Sequence, residues 1–118
     1  MIQLFGYKKC STCRKAEQFL TKKDVSYQFV DITVDPPTNT QLRKVMTLSQ
    51  KPIRKLFNTS GQLYREMGLK SKLDSMSDNE MLALLEKHGK LIKRPIVLSP
   101  SKATVGFRED EFLEVWSF

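Results

Sequence analysis

Cys10 and Cys13, in Cys-Ser-Thr-Cys, stand where one apolar periodicity gives way to another, and that junction constrains the fold more than any other feature. Before it, Ile2–Tyr7 alternates apolar and polar residues and is rich in β-formers, which predicts a first strand. After it, Cys13, Ala16, Phe19 and Leu20 recur at helical spacing with Lys and Glu between them, so a helix is expected from Cys10 to about Lys23. Tyr27–Ile32 alternates again and predicts a second strand. A strand, a helix and a strand so close together make a βαβ unit, with a right-handed crossover expected.

Asp35-Pro36-Pro37 breaks this pattern. Beyond it, Thr38–Leu48, Ile53–Phe57 and Leu63–Met67 read as short helices separated by Pro52 and by Asn58–Gly61. Ser77 with Glu80 forms a capping-box signature, and the helix it opens should run to about Lys87 and stop at Gly89. Ile96–Leu98 and Thr104–Phe107 predict a β-hairpin, and a last helix covers about Glu109–Trp116. The order is βαβ, a helical insertion, then ββα. That is an α/β, thioredoxin-like order with a mixed four-stranded sheet.

The chain has 118 residues, a length that suits a single domain spanning 1–118. Hydrophobic residues make up 40% and charged residues 28%, ordinary globular usage that argues against intrinsic disorder. The longest apolar runs fall far short of the roughly 20 residues of a membrane helix. The segment MIQLFGYKKC has neither a basic region before its apolar residues nor a small-residue cleavage site, so no signal peptide is expected. Lys plus Arg is 20 and Asp plus Glu is 13, a net +7 that favours an anionic partner.

Two cysteines three positions apart close too small a loop to staple a fold. A zinc site would need two more ligands, and the only histidine is His88, so neither metal nor cofactor is expected. The spacing reads instead as redox chemistry in a cytoplasmic setting. Only a thiolate is a good sulfur nucleophile, and a free cysteine titrates near about 8.5. At the strand-to-helix junction, unpaired N–H groups and the helix dipole favour an anion at Cys10, and Lys8, Lys9, Arg14 and Lys15 add positive charge. Cys13, one turn into the helix, should be more enclosed. Cys10 is therefore expected to attack, and Cys13 to resolve the mixed disulfide.

The sequence Tyr-Lys-Lys-Cys-Ser-Thr-Cys-Arg-Lys-Ala, followed downstream by Leu-Ile-Lys-Arg-Pro-Ile-Val and Val-Gly-Phe-Arg-Glu-Asp-Glu, resembles the arsenate reductase (ArsC)/Spx family over nearly the whole chain. The Asp-Pro-Pro turn and the segment Phe57–Leu69 fit as well, and within that segment Phe57–Gly61 and Tyr64–Leu69 look more like the ArsC-like branch. The resemblance implies a thioredoxin-like fold with a helical insertion, and either arsenate reduction or redox-sensitive transcription control. In the family's reductases, small residues after the nucleophile hold an oxyanion through their backbone amides and three arginines surround it. Ser11 and Thr12 match those small residues, and Arg94 and Arg108 match two of the arginines. The third position aligns with the neutral Asn58, which weakens the case for efficient arsenate turnover. Arg65 is close in sequence but would need another backbone path to substitute. Planar guanidinium groups suit a tetrahedral oxyanion because they bind it in a bidentate way. The resemblance further implies that Pro95 is the cis proline that begins the strand facing the cysteine motif.

The remaining prominent residues have structural readings. His88 should meet the end of a helix, and Phe112, Val115 and Trp116 should anchor the last helix. Met67, Met76 and Met81 read as core filler. The basic stretch Arg43–Lys55 reads as a solvated face, and no direct DNA binding is expected. Two functions follow. One is a cytosolic thiol–disulfide oxidoreductase of arsenate reductase type, acting on a small oxyanion or a protein disulfide, with a thioredoxin-type or low-molecular-weight thiol as reductant. The alternative is an Spx-type regulator in which the cysteine pair is a redox switch and RNA polymerase is the partner.

Overall fold

The computed structural model describes all 118 residues. In chain order the elements are β1 (Gln3–Gly6), α1 (Ser11–Lys22), β2 (Gln28–Asp31) and α2 (Asn39–Ser49), then a 3₁₀ turn at Ile53–Leu56. They continue with α3 (Gln62–Glu66), α4 (Leu69–Lys72), α5 (Asp78–Lys87), β3 (Ile96–Leu98), β4 (Ala103–Val105) and α6 (Glu109–Val115). Further 3₁₀ turns lie at Leu73–Ser75 and Gly89–Leu91. The sheet order is β2-β1-β3-β4. β1 runs parallel to β2 and antiparallel to β3, and β3 runs antiparallel to β4. The α/β, thioredoxin-like architecture with a mixed four-stranded sheet is therefore present.

Register explains how the sheet is covered. Leu4 stands opposite Val97 and Phe5 opposite Ile96. Because neighbouring side chains point to opposite faces, Leu4 and Val97 join Ala16, Leu20, Val25, Phe112 and Trp116 from the α1 and α6 side. Phe5, Ile96 and Leu98 join the second cluster, with Leu42, Val45, Leu82 and Leu85 from α2 and α5. Three layers result, helices on both faces of one sheet. This modifies the alternating reading of the first strand: Leu4 and Phe5 are both buried, because neither face of β1 meets water.

The helix ends show why the insertion holds its shape. Ser77 and Glu80 form the reciprocal capping box at α5 expected from sequence, and Thr38 with Gln41 forms a second one at α2. Two pieces differ from expectation. Leu69–Ser75 is helical, because Leu69 and Leu73 are buried together one turn apart, although no element is expected there from sequence. β4 is displaced toward the turn, covering Ala103–Val105, and Gly106 leaves the strand at a φ of 79°, a conformation suited to glycine. No helix is long and apolar enough to cross a membrane.

Candidate functional site

The cysteine pair is positioned by the turn that joins β1 to α1. The Cys10 N–H donates to the Tyr7 carbonyl at 3.0 Å, closing the turn, and the Arg14 N–H donates to the Cys10 carbonyl at 3.0 Å, starting the helix. Cys10 is the N-cap residue of α1, with extended backbone, and its Sγ accepts the Cys13 N–H at 3.4 Å. The first turn carries no acidic residue to offset the positive helix end. The Thr12 hydroxyl lies 3.0 Å from Cys10 Sγ. Ser11 is exposed at the first helical position. Cys13 faces inward and is fully buried, and its Sγ accepts the Tyr7 N–H at 3.4 Å.

These surroundings split the two thiols. For Cys10, partial burial opposes ionisation. Hydrogen bonds from the Cys13 thiol, the Thr12 hydroxyl and the Cys13 N–H, with the positive charge of Arg94, outweigh it and hold the pKa below the ordinary cysteine value. For Cys13, burial comes first and the hydrogen bond to Cys10 second, and the pKa is pushed up to about 12. The charge acting on Cys10 is thus that of Arg94, from the segment before β3, rather than that of the lysines flanking the motif. Lys8 is engaged elsewhere: its ammonium lies 3.1 Å from Glu17 and 4.0 Å from the Phe29 ring centre.

Arg94 is half-buried beside Tyr7, its guanidinium 5.9 Å from the ring centre, and the Arg94–Pro95 peptide bond is cis. Together they border a cleft of about 410 Å³ whose walls include Asn58, Gln62, Lys90 and Thr33. Asn58 therefore shares a cleft with Arg94, held by its N–H to the Leu91 carbonyl at 2.7 Å. Arg108 is placed differently. It is exposed at the start of α6 and its guanidinium bonds Asp110 at 3.3–3.4 Å. Arg65 turns back to the Ser60 carbonyl at 3.0 Å.

Three residues of the site were missed by sequence reasoning. Tyr7 contributes through its backbone and Lys90 through the fold of the insertion, so neither carries a motif signal. Gly6 did carry one, since a glycine inside a strand often marks a close approach. A Cβ at Gly6 would stand 2.9 Å from Cys13 Sγ, so its absence makes room for the buried thiol.

Residues 5–115 match the profile of the ArsC family. The chain is 42% identical to the uncharacterized protein YusI of Bacillus subtilis over 98% of each chain. It is 38% identical to a possible arsenate reductase from Streptococcus mutans, whose crystal structure superposes with a TM-score of 0.86 over 95% of this chain and 97% of that one. It is 30% identical to the global transcriptional regulator Spx of Streptococcus pneumoniae, over 94% of this chain and 82% of the relative. Sequence match, superposition and the cysteine pair at the β1–α1 junction agree: the chain belongs to the ArsC family.

Proposed function

We propose that residues 1–118 act as one domain, a thiol–disulfide oxidoreductase of the cytoplasm. Cys10 is the nucleophile and Cys13 the resolving cysteine. The observation that carries this reading is the split between the two thiols: Cys10 is half-exposed with its pKa lowered, Cys13 buried with its pKa raised to about 12. A thiolate at Cys10 attacks a substrate sulfur or oxyanion. Once Cys10 is covalently engaged, it no longer acts as a charged partner of Cys13, which removes two of the causes that keep Cys13 protonated. Cys13 then loses its proton and attacks Cys10 Sγ, releasing the reduced product and leaving a disulfide. A thioredoxin-type or low-molecular-weight thiol restores the pair. Arg94 steers an anionic substrate, and the N–H groups of Ser11 and Thr12 receive its charge at the helix start.

Disulfide exchange suits this site better than arsenate turnover. A tetrahedral oxyanion needs converging guanidinium groups, and here one position is Asn58 while Arg108 is bonded to Asp110. The test is thiolate absorbance against pH in Cys10→Ser and Cys13→Ser. The protein that keeps Cys10 should titrate below a free cysteine and form a stable mixed disulfide, and the one that keeps Cys13 should do neither. Titration of Cys10 at or above the free-cysteine value would sink the assignment.

The similarity to Spx supports a second reading, a redox switch that docks on RNA polymerase. Retention of purified polymerase by the reduced or the oxidised protein alone, without disulfide reductase activity, would favour it.

A further inference from the structure

We propose that the cleft beside the cysteine pair is an extended site for a small disulfide bearing carboxylates, with Lys90 and Lys87 holding the carboxylates beyond Arg94. The proposal rests on the thiol–disulfide reading above and names its substrate class. The cleft of about 410 Å³ adjoins a recess of about 200 Å³, and both are bordered by Thr33, Leu63 and Lys90. Arg94 borders the first, Lys87 the second, and Lys90 both, so three cations succeed one another along two cavities that share a wall. Its near end is the cysteine motif, because Tyr7, in the cleft wall, accepts the Cys10 N–H and donates to Cys13 Sγ.

Charge and size select the ligand. No carboxylate lines either cavity, and the ion pairs of the molecule involve Lys8, Arg54 and Arg108, so Lys87, Lys90 and Arg94 have no ion-pair partner; Asp31 and Glu66 reach the wall only by way of Thr33 and Gln62. A single tetrahedral anion can meet one end of such a row, whereas carboxylates spaced along a molecule can meet all of it. The first cavity is also of a size that holds small organic molecules. Its wall carries the amides of Asn58 and Gln62, the Gln62 N–H already donating to Glu66 at 2.8 Å. The Asn58 backbone is occupied by Leu91 and Gly61, which leaves the side-chain amide for an amide-containing ligand.

The reaction balances without a further oxidant. The Cys10 thiolate attacks one sulfur of RS–SR, the substrate S–S bond breaks, and one RS⁻ leaves and takes a proton from water. Cys13 gives its proton to water and attacks Cys10 Sγ, and the second RS⁻ leaves. The dithiol has lost two electrons and the substrate has gained them.

Single-turnover oxidation of the pre-reduced protein tests this, with oxidised glutathione as the carboxylate-bearing probe and 2-hydroxyethyl disulfide as the neutral one. At low salt the ratio of their rates should favour oxidised glutathione by about tenfold or more, and 0.5 M salt, of order the strength that screens exposed charges, should compress it. Lys90→Gln should cut the ratio by about tenfold, the scale of one charged hydrogen bond, and Lys87→Gln by less. Lys90→Glu should turn the preference toward the cationic disulfide cystamine. Lys44→Gln, on the exposed side of α2, should leave the ratio unchanged. Equal rates for the two probes, or a ratio indifferent to Lys90, would overturn the groove while leaving disulfide exchange standing. If neither disulfide oxidises the cysteine pair, the reading beneath it falls too.

Discussion

The two faces of the sheet are filled by different means. On the α1 and α6 face the buried cluster is small and led by aromatics. Phe19, Phe107 and Phe112 meet edge-to-face with ring centres 4.7–6.4 Å apart, and the Trp116 indole N–H donates to Thr104 Oγ1 at 3.0 Å. On the other face a larger cluster is built mostly from Leu, Ile and Val of the insertion, with one aromatic pair, Phe57 and Tyr64. The first face holds α1, and so the cysteines. The second sets the cleft wall that carries Asn58 and Lys90. The cysteine pair and the cleft wall beside it thus hang on separate packing, and each can be disturbed without the other.

The largest expected effects test that separation. Trp116→Ala should cost about 3–5 kcal/mol, and it also leaves the buried Thr104 hydroxyl without its partner. Leu85→Ala, fully buried on the other face, should cost about 2–5 kcal/mol. Denaturant unfolding measures both. Below the unfolding transition, Trp116→Ala should also alter the Cys10 titration through α1, and Leu85→Ala should not. Equal disturbance by the two would show that the faces act as one unit.

Gly6→Ala should act on one step alone. The added methyl meets Cys13 Sγ at 2.9 Å and Leu4 Cδ2 at 3.1 Å, so the buried thiol must shift off its line to Cys10. Closure of the Cys10–Cys13 disulfide from a mixed disulfide should slow by roughly tenfold or more, since small misplacements in such reactions are costly. Alkylation of Cys10 should change far less. Stopped-flow release of a chromogenic thiol from the mixed disulfide separates the two. Unchanged closure would mean that Cys13 has more room than the packing suggests.

Much of this organisation was legible in the chain. The βαβ unit showed itself because β1, α1 and β2 are local and periodic, and α5 because its capping box is written in Ser77 and Glu80. The helical stretch at Leu69–Ser75 escaped because it is too short for a period and is fixed by packing of Leu69 and Leu73. The contrast between a half-exposed Cys10 and an enclosed Cys13 followed from their positions at the start of a helix. The source of the charge did not, because Arg94 reaches Cys10 through the pairing of β3 with β1, a contact between residues far apart in sequence. Lys90 was hidden because the fold of the insertion, and no motif, brings it to the cleft.

The smallest expected effect concerns Thr12, and its sign with pH makes it informative. Thr12→Val keeps the shape of the side chain and removes the hydroxyl 3.0 Å from Cys10 Sγ. That hydroxyl donates to the thiolate and is one of the groups that lower the Cys10 pKa. Without it the thiolate is less favoured, the pKa rises, and the pH at which Cys10 becomes reactive moves upward. Because the hydroxyl also bonds the neutral thiol, only the difference between the two bonds counts, about 0.5–1.5 kcal/mol, or roughly two- to tenfold in thiolate population at a fixed pH below the transition. Alkylation by a neutral reagent should therefore be slower in Thr12→Val by that factor at low pH. Well above the transition both proteins are fully ionised, and the deficit should disappear. The variant should then be slightly faster, because a thiolate of higher pKa is the better nucleophile. A deficit that stayed constant across the whole pH range would mean that Thr12 orients Cys10 rather than stabilising its charge.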